Sequence, residues 1–279
     1  MNLRCEICEN QNLIFQFSEQ KDDKTYNSYY CETCDLYQTR GNFDAVSPDY
    51  IDLELNDLTS EHVFKQRAHK HNAFRQLLNK LNFNLEHKTL LDFGCGVGGF
   101  LDYVEEKYPT VQRFGFDASE SQIKVAQNRH ANCLVSLYPS EYSSSINRSD
   151  FEIVTMWDVF EHIREPHLQL TDIKKVMKKN GHLIISVPCG GPNKFKLLYK
   201  KLTNRPPGLI PWEHVFYYTK NSLRQVMLNA GFEVKDVGYV YPYRRNLSFF
   251  ELVRRSIHHL LGPSKYALQI YIIAEKKDD

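Results

Sequence analysis

Two groups of residues in this chain have the types and spacing for chemistry. The first is Cys5-x-x-Cys8 with Cys31-x-x-Cys34, two knuckles 22 residues apart. Each knuckle offers two thiolates at the reach a tetrahedral zinc ion requires, and the pair completes a four-sulfur shell. Such a closed shell keeps no open position, so the expected Zn2+ is structural and serves folding. The second group is the run Leu90-Leu91-Asp92-Phe93-Gly94-Cys95-Gly96-Val97-Gly98-Gly99-Phe100. Its glycines let a backbone turn tightly and come close to a nucleotide-like ligand. Gly94, Gly96 and Gly99 satisfy the dinucleotide pattern G-x-G-x-x-G, and Gly94, Gly96 and Gly98 satisfy G-x-G-x-G. The loop alone therefore leaves the cofactor open.

Asp117 narrows the choice. It ends the run Gly115-Phe116-Asp117-Ala118-Ser119, where a carboxylate can accept both ribose hydroxyls of an adenosyl group. An N-cap role for Asp117 is the alternative, but Ser119 is as well placed for that. Two histidines stand in similarly suggestive contexts. His162 follows Glu161 in Trp157-Asp158-Val159-Phe160-Glu161-His162-Ile163, and His214 lies in Pro211-Trp212-Glu213-His214-Val215-Phe216-Tyr217-Tyr218-Thr219. Each is a candidate general base, with a structural hydrogen-bonding role as the alternative. His214 is the first choice and His162 the second. Glu161 is the third candidate, orienting a helix turn or a histidine.

These residues need a scaffold, and the chain is long enough to supply one. Its 279 residues, 42% hydrophobic and 25% charged, suit one large α/β domain with a small accessory module. The net charge of +1 gives no global argument for nucleic acid or membrane. No apolar run reaches the length of a spanning helix and no signal pattern opens the chain, so a cytoplasmic protein is expected. A reducing compartment in turn favours metal ligation over disulfides for the seven cysteines. Cys95, Cys133 and Cys189 lack ligand spacing and read as ordinary cysteines.

Three regions follow from composition: a zinc ribbon over 1–45, a helical linker or cap over 46–85, and a main domain over 86–279. In the linker, Ser60 is placed to cap a helix carrying Val63, Ala68, Phe74, Leu77, Leu78 and Leu81. In the main domain, strands are expected at 89–93, 111–117, 151–157, 181–188, 232–239 and 267–276. Helices are expected at 98–107, 119–129, 166–179 and 221–230. That alternation predicts a doubly wound, mostly parallel sheet of Rossmann-like form with both faces covered.

The motifs taken in order resemble the class I S-adenosylmethionine-dependent methyltransferases, over residues 86 to about 240. The glycine run looks like the family's first motif, and Gly115-Phe116-Asp117 resembles its second-strand acid. Phe151-Glu152-Ile153-Val154 through Ile163 resembles its fourth-strand segment. Val176-Met177-Lys178-Lys179-Asn180-Gly181-His182 through Pro188 is similar to a stretch usually written Leu-Lys-Pro-Gly-Gly. Asn180 and His182 depart from that stretch, as a turn change without expected consequence. Ala230-Gly231-Phe232 matches the entry to the sixth strand, and 267–276 fits a reversed seventh.

The resemblance implies S-adenosylmethionine as methyl donor. Gly94, Gly96 and Gly98 would line it, Asp92 would lie beneath the loop near the methionine end, and Asp117 would bind ribose. Ala118 and Leu137-Tyr138-Pro139 would be adenine contacts. Trp157 and Asp158 leave the fourth strand at its carboxyl end, where open α/β sheets bind ligands, with a core role for Trp157 as the alternative. Tyr50 and the stretch from Arg67 to Arg75 would either cap the site or simply pack.

A zinc ribbon on such a domain resembles two kinds of methyltransferase, one acting on sugars and other small metabolites, the other on ribosomal RNA bases. The ribbon has Arg4, Lys21, Lys24 and Arg40 against Glu6, Glu9, Glu19, Asp22, Asp23, Glu32 and Asp35, an acidic balance that disfavours gripping phosphates. The leading expectation is methylation of a small polar acceptor, at a hydroxyl of a sugar, glycan or secondary-metabolite precursor. An RNA base methyltransferase and a non-catalytic cofactor-binding scaffold are the alternatives. Two inserts, from Gly190 to Pro211 and from Tyr239 to His259, carry Lys194, Lys196, Lys200, Lys201, Arg205, Arg244, Arg245, Arg254 and Arg255. They would form a cationic, tyrosine-bearing cover for an acceptor with phosphate or carboxylate, or else plain solvated faces.

Overall fold

The structure, a computed structural model, describes residues 4–21, 23–41, 70–81, 84–190, 211–240 and 269–277. Tyr50, Ser60, Val63, Arg67 and Ala68 lie outside the described residues, as do the basic residues of both inserts.

Two sheets organise the chain. The larger has seven strands: β4 (Thr89–Phe93), β5 (Gln112–Asp117), β6 (Cys133–Val135), β7 (Phe151–Trp157), β8 (Met177–Pro188), β10 (Phe232–Val240) and β11 (Gln269–Lys276). Their order is β10-β11-β8-β7-β4-β5-β6. All neighbours are parallel except around β11, which runs antiparallel to both β8 and β10. This is the doubly wound sheet with a reversed last strand that the sequence predicted.

Strand alternation divides the core into two layers. Leu90, Ile153 and Ile184 face one layer, with α1 (His71–Leu78), α2 (Gly99–Lys107) and α3 (Glu120–Gln127). Leu91, Val154, Leu183 and Ile185 face the other, with α4 (Pro139–Ser145), α5 (Pro166–Val176) and α6 (Lys220–Asn229). Phe74, Leu77 and Leu78 of α1, at the end of the linker region, are buried in the first layer.

The smaller sheet is antiparallel, in the order β1 (Leu13–Lys21), β2 (Lys24–Cys31), β3 (Leu36–Gly41) and β9 (Phe216–Tyr217). Its last strand comes from the main domain: Tyr37 pairs with Tyr217 and Gln38 with Phe216. Cys5, Cys31 and Leu36 share one apolar cluster with Phe160, Phe216 and Tyr218, so the ribbon and the main domain have a common core.

One boundary departs from expectation. The helix beginning at Pro166 ends at Val176, not Lys179, and Met177 already pairs with Phe151 as the first residue of β8. The Asn180-Gly181 turn therefore sits inside the strand as an irregularity. Asn180 adopts φ +58°, a left-handed conformation that asparagine tolerates, so the departure at this position is accommodated.

Candidate active site

The glycine loop joins β4 to α2 and is held from beneath. Gly94 and Cys95 donate their N–H groups to the Phe116 carbonyl at 2.9 and 3.0 Å. Gly94, Gly96 and Gly98 have φ of +72°, +54° and +85°, the left-handed region that glycine enters without penalty. A Cβ on Gly94 would also overlap Val159 Cγ2, which places the segment after β7 directly against the loop.

Asp117 leaves the end of β5 beside this loop. Its Oδ2 accepts from Gly96 N–H and its Oδ1 from Ser119 N–H, both at 2.9 Å. Ser119 supplies the side-chain cap of α3 through Gln122 N–H, so Asp117 is not needed as that cap. The carboxylate is half-buried, next to the glycine N–H groups, where an adenosyl ribose would lie. Ala118 is half-buried beside it, while Leu137 and Tyr138 are exposed beyond β6. Asp92 is buried below the loop and accepts from Thr155 Oγ1 at 2.7 Å.

A buttress that sequence reasoning missed locks the far side of the loop. Asp102 on α2 accepts from Arg129 Nε at 2.8 Å and lies 2.8 Å from His130 Nε2. Arg129 Nη2 reaches the Val97 carbonyl at 2.6 Å. Burial works to raise the Asp102 pKa, but the bonds from His130 and Arg129 outweigh it and hold the carboxyl below its ordinary value. No local pattern links positions 27 and 28 residues apart, so only the fold reveals this contact.

At the carboxyl end of β7, Trp157 packs against Phe74 and Phe100, with ring centroids 4.7 and 4.9 Å apart. That is the packing alternative raised for it, and among the described residues its buried indole N–H has no hydrogen-bond partner. Asp158 adopts φ +56° and is ion-paired with Lys70, and its Oδ1 accepts from Gln269 at 2.8 Å. It ties β7, β11 and the start of α1 together at the rim of the site.

Four residues further on, the three candidate catalytic groups meet. His162 and His214 are 52 positions apart in sequence, yet their rings touch edge to face with centroids 5.0 Å apart. Glu161 Oε1 is 3.9 Å from His162 Nε2. His162 Nδ1 lies 2.6 Å from the Glu213 carbonyl, so Nδ1 carries the proton and Nε2 is the ring's acceptor atom. Burial lowers the His162 pKa and keeps the ring neutral, against the opposing pull of the Glu213 carbonyl and Asp158. Burial also pushes the Glu161 carboxyl well above its usual range, and the charge of Asp158 adds to that.

The ribbon holds His214 in place. Thr39 N–H donates to the Val215 carbonyl at 2.8 Å, and Thr39 Oγ1 to the His214 carbonyl at 3.2 Å. Val215 N–H in turn donates to the Glu161 carbonyl at 3.1 Å. The four ribbon cysteines form a tight group: Cys5 and Cys34 sulfurs are 3.4 Å apart, Cys8 and Cys31 sulfurs 3.5 Å, and all four lie within 4.8 Å. A tetrahedral zinc with bonds of about 2.3 Å sets its sulfurs ~3.8 Å apart, so the group fits that ion. The bond from Cys34 pulls the Cys5 thiol down to about 5, while burial pushes Cys8 up to about 11. Elsewhere, Cys95 and Cys133 are simply buried.

A family model described as a methyltransferase domain matches residues 65–237. The chain belongs to the methyltransferase domain family. Its sheet order, glycine loop and strand-end acid are those of the class I, S-adenosylmethionine-dependent type. Phosphoethanolamine N-methyltransferase 1 of Zea mays is 30% identical over 123 residues, 43% of this chain and 24% of that protein. Ubiquinone biosynthesis O-methyltransferase of Acinetobacter baylyi is 26% identical over 141 residues, 45% of this chain and 58% of that protein. The matches thus span about a quarter to three fifths of these relatives. Haemonchus contortus phosphoethanolamine N-methyltransferase 2, solved with S-adenosylmethionine, shares the fold at a TM-score of 0.55 and 13% identity. That match covers 94% of this chain and 71% of the other. Among the described residues, no helix is long and apolar enough to cross a membrane.

Proposed function

We propose that this chain transfers the methyl group of S-adenosylmethionine to a hydroxyl of a small polar acceptor, on a sugar, glycan or secondary-metabolite precursor. The observation that carries the reading is that His214 meets Glu161 and His162, which lie in the segment whose Val159 packs on the glycine loop. Methyl transfer from a sulfonium needs the nucleophile placed in line with the methyl carbon. An oxygen nucleophile must also lose a proton, which a neutral imidazole accepts. His214 takes that role, with His162 beside it, while Gly94, Gly96, Gly98 and Asp117 hold the donor and Asp92 supports the loop.

The relatives support a small acceptor by their names, one an O-methyltransferase of ubiquinone biosynthesis and one a phosphoethanolamine methyltransferase. The ribbon argues in the same direction. Arg40 is ion-paired with Glu6, which takes one of the few ribbon cations away from any phosphate backbone. Cys5, Cys8, Cys31 and Cys34 hold a structural Zn2+ in this reading, which suits a reducing compartment such as the cytoplasm.

Release of S-adenosylhomocysteine on exposure to fractionated metabolites tests the proposal. Small-molecule fractions should support release, and His214→Ala should lower it by about a hundredfold or more. Release supported by RNA fractions alone would overturn the reading. So would turnover indifferent to His214→Ala.

A further inference from the structure

Glu161, His162 and His214 bring three metal-ligating side chains together. With Nδ1 of His162 donating to the Glu213 carbonyl, its Nε2 is an acceptor, and that atom sits 3.9 Å from Glu161 Oε1. This separation is too long for a hydrogen bond. Glu161 is only 1% exposed, yet among the described residues neither of its carboxylate oxygens has a hydrogen-bond partner. The hydroxyl of Tyr218, fully buried, is likewise unpartnered, and it lies within the electrostatic reach of Glu161. Buried polar atoms are rarely left in this state, and a group of them marks a missing ligand.

The donor set defines what that is. One atom each from Glu161, His162 and His214 lies within 4.8 Å of the other two. Two imidazoles and a carboxylate on one side of an ion leave its remaining positions open for substrate. The Glu213 carbonyl fixes the ring orientation of His162 from behind, as second-layer partners do at metal sites. Metal–ligand bonds of about 2.1 Å place ligand atoms ~3 to 3.5 Å apart, so the group closes inward slightly around an ion.

We propose that Glu161, His162 and His214 bind a divalent cation whose open positions take oxygen atoms of the acceptor. The inference rests on the reading above that this cluster is the acceptor end of the site. Bound to the cation, His214 serves as a ligand in place of the base role given it above, and the coordinated hydroxyl loses its proton to water more readily than a free one. Its oxygen then forms the new bond to the methyl carbon as the carbon–sulfur bond breaks, and that electron pair returns to sulfur. Acceptors with two neighbouring oxygens, such as a vicinal diol, a catechol or a hydroxy acid, suit two open positions best.

Titration of the zinc-loaded full chain with Co2+ alone tests the site. One Co2+ per chain should bind, with the visible absorption of nitrogen and oxygen ligation. The sulfur-to-cobalt charge-transfer band that marks cysteine should be absent. Glu161→Gln and His214→Gln should each weaken binding at least tenfold. Circular dichroism and S-adenosylmethionine affinity report whether each variant is folded, and if Glu161→Gln is not, His214→Gln decides. Absence of Co2+ binding, or affinity unchanged in the folded variant, overturns the cation site. Methyl transfer that needs His214 without any Co2+ binding would sink the cation and leave the proposed function standing. Cation binding lost in the variants with turnover intact would support the site and sink its link to the acceptor.

Discussion

Among single residues, those that shape the cofactor loop differ in how visible they are from sequence. Gly94 was visible as part of a pattern, but the reason for it is a contact: a side chain there would collide with Val159. Gly94→Ala also forces a non-glycine residue to φ +72°, and together these should cost about 1–3 kcal/mol or distort the loop. A denaturant melt with a parallel cofactor titration would show it, and unchanged values in both would count against the loop geometry. Asp102 was invisible, because its partners Arg129 and His130 reach it only through the fold. Its carboxyl is held below the ordinary range, so the stability it adds is present above about pH 3.9 and disappears as pH falls through its lower folded value. Asp102→Asn should therefore cost ~1–3 kcal/mol at neutral pH and make acid unfolding less steep. Chemical melts from pH 2 to 7 measure this, and equal pH profiles for both proteins would contradict it.

At the scale of elements, legibility followed the strength of the local pattern. The strands Thr89–Phe93 and Phe151–Trp157 were read to the residue because both are continuous, apolar and bounded by turns. The strand Cys133–Val135 has three residues, and the helix after it reads Pro-Ser-Glu-Tyr-Ser-Ser-Ser, a poor helix former held by buried Tyr142. Neither carried a period to detect. The pairing of Phe216 and Tyr217 with the ribbon is the larger omission, since nothing in a two-residue strand announces a partner 178 or 180 positions away. That pairing has a functional consequence. Because Thr39 grips the backbone of His214 and Val215, removing the zinc proposed for the ribbon should release His214 while leaving the glycine loop intact. Chelation should then cut turnover at least tenfold with little change in S-adenosylmethionine affinity, and added zinc should restore it. Turnover that survives complete zinc removal would sever ribbon from site.

For the whole molecule, three distant stretches of chain converge on one end of one sheet. The glycine loop and Asp117 come from β4 and β5, the Trp157–His162 segment from β7, and His214 from just before the strand that joins the ribbon. Fold class and the place of the glycine loop and Asp117 at neighbouring strand ends were legible because each rests on a motif local to one strand and the turn after it. The acceptor half was legible only as a set of candidates, since its geometry depends on long-range pairing. The claim beneath all of this is that the glycine loop and Asp117 bind S-adenosylmethionine, and calorimetric titration of that cofactor into the zinc-loaded chain tests it most directly. One equivalent should bind, more tightly than a nicotinamide dinucleotide, and Asp117→Ala should weaken it at least tenfold, about 1.4 kcal/mol. No binding, or binding unaltered by Asp117→Ala, would contradict the account.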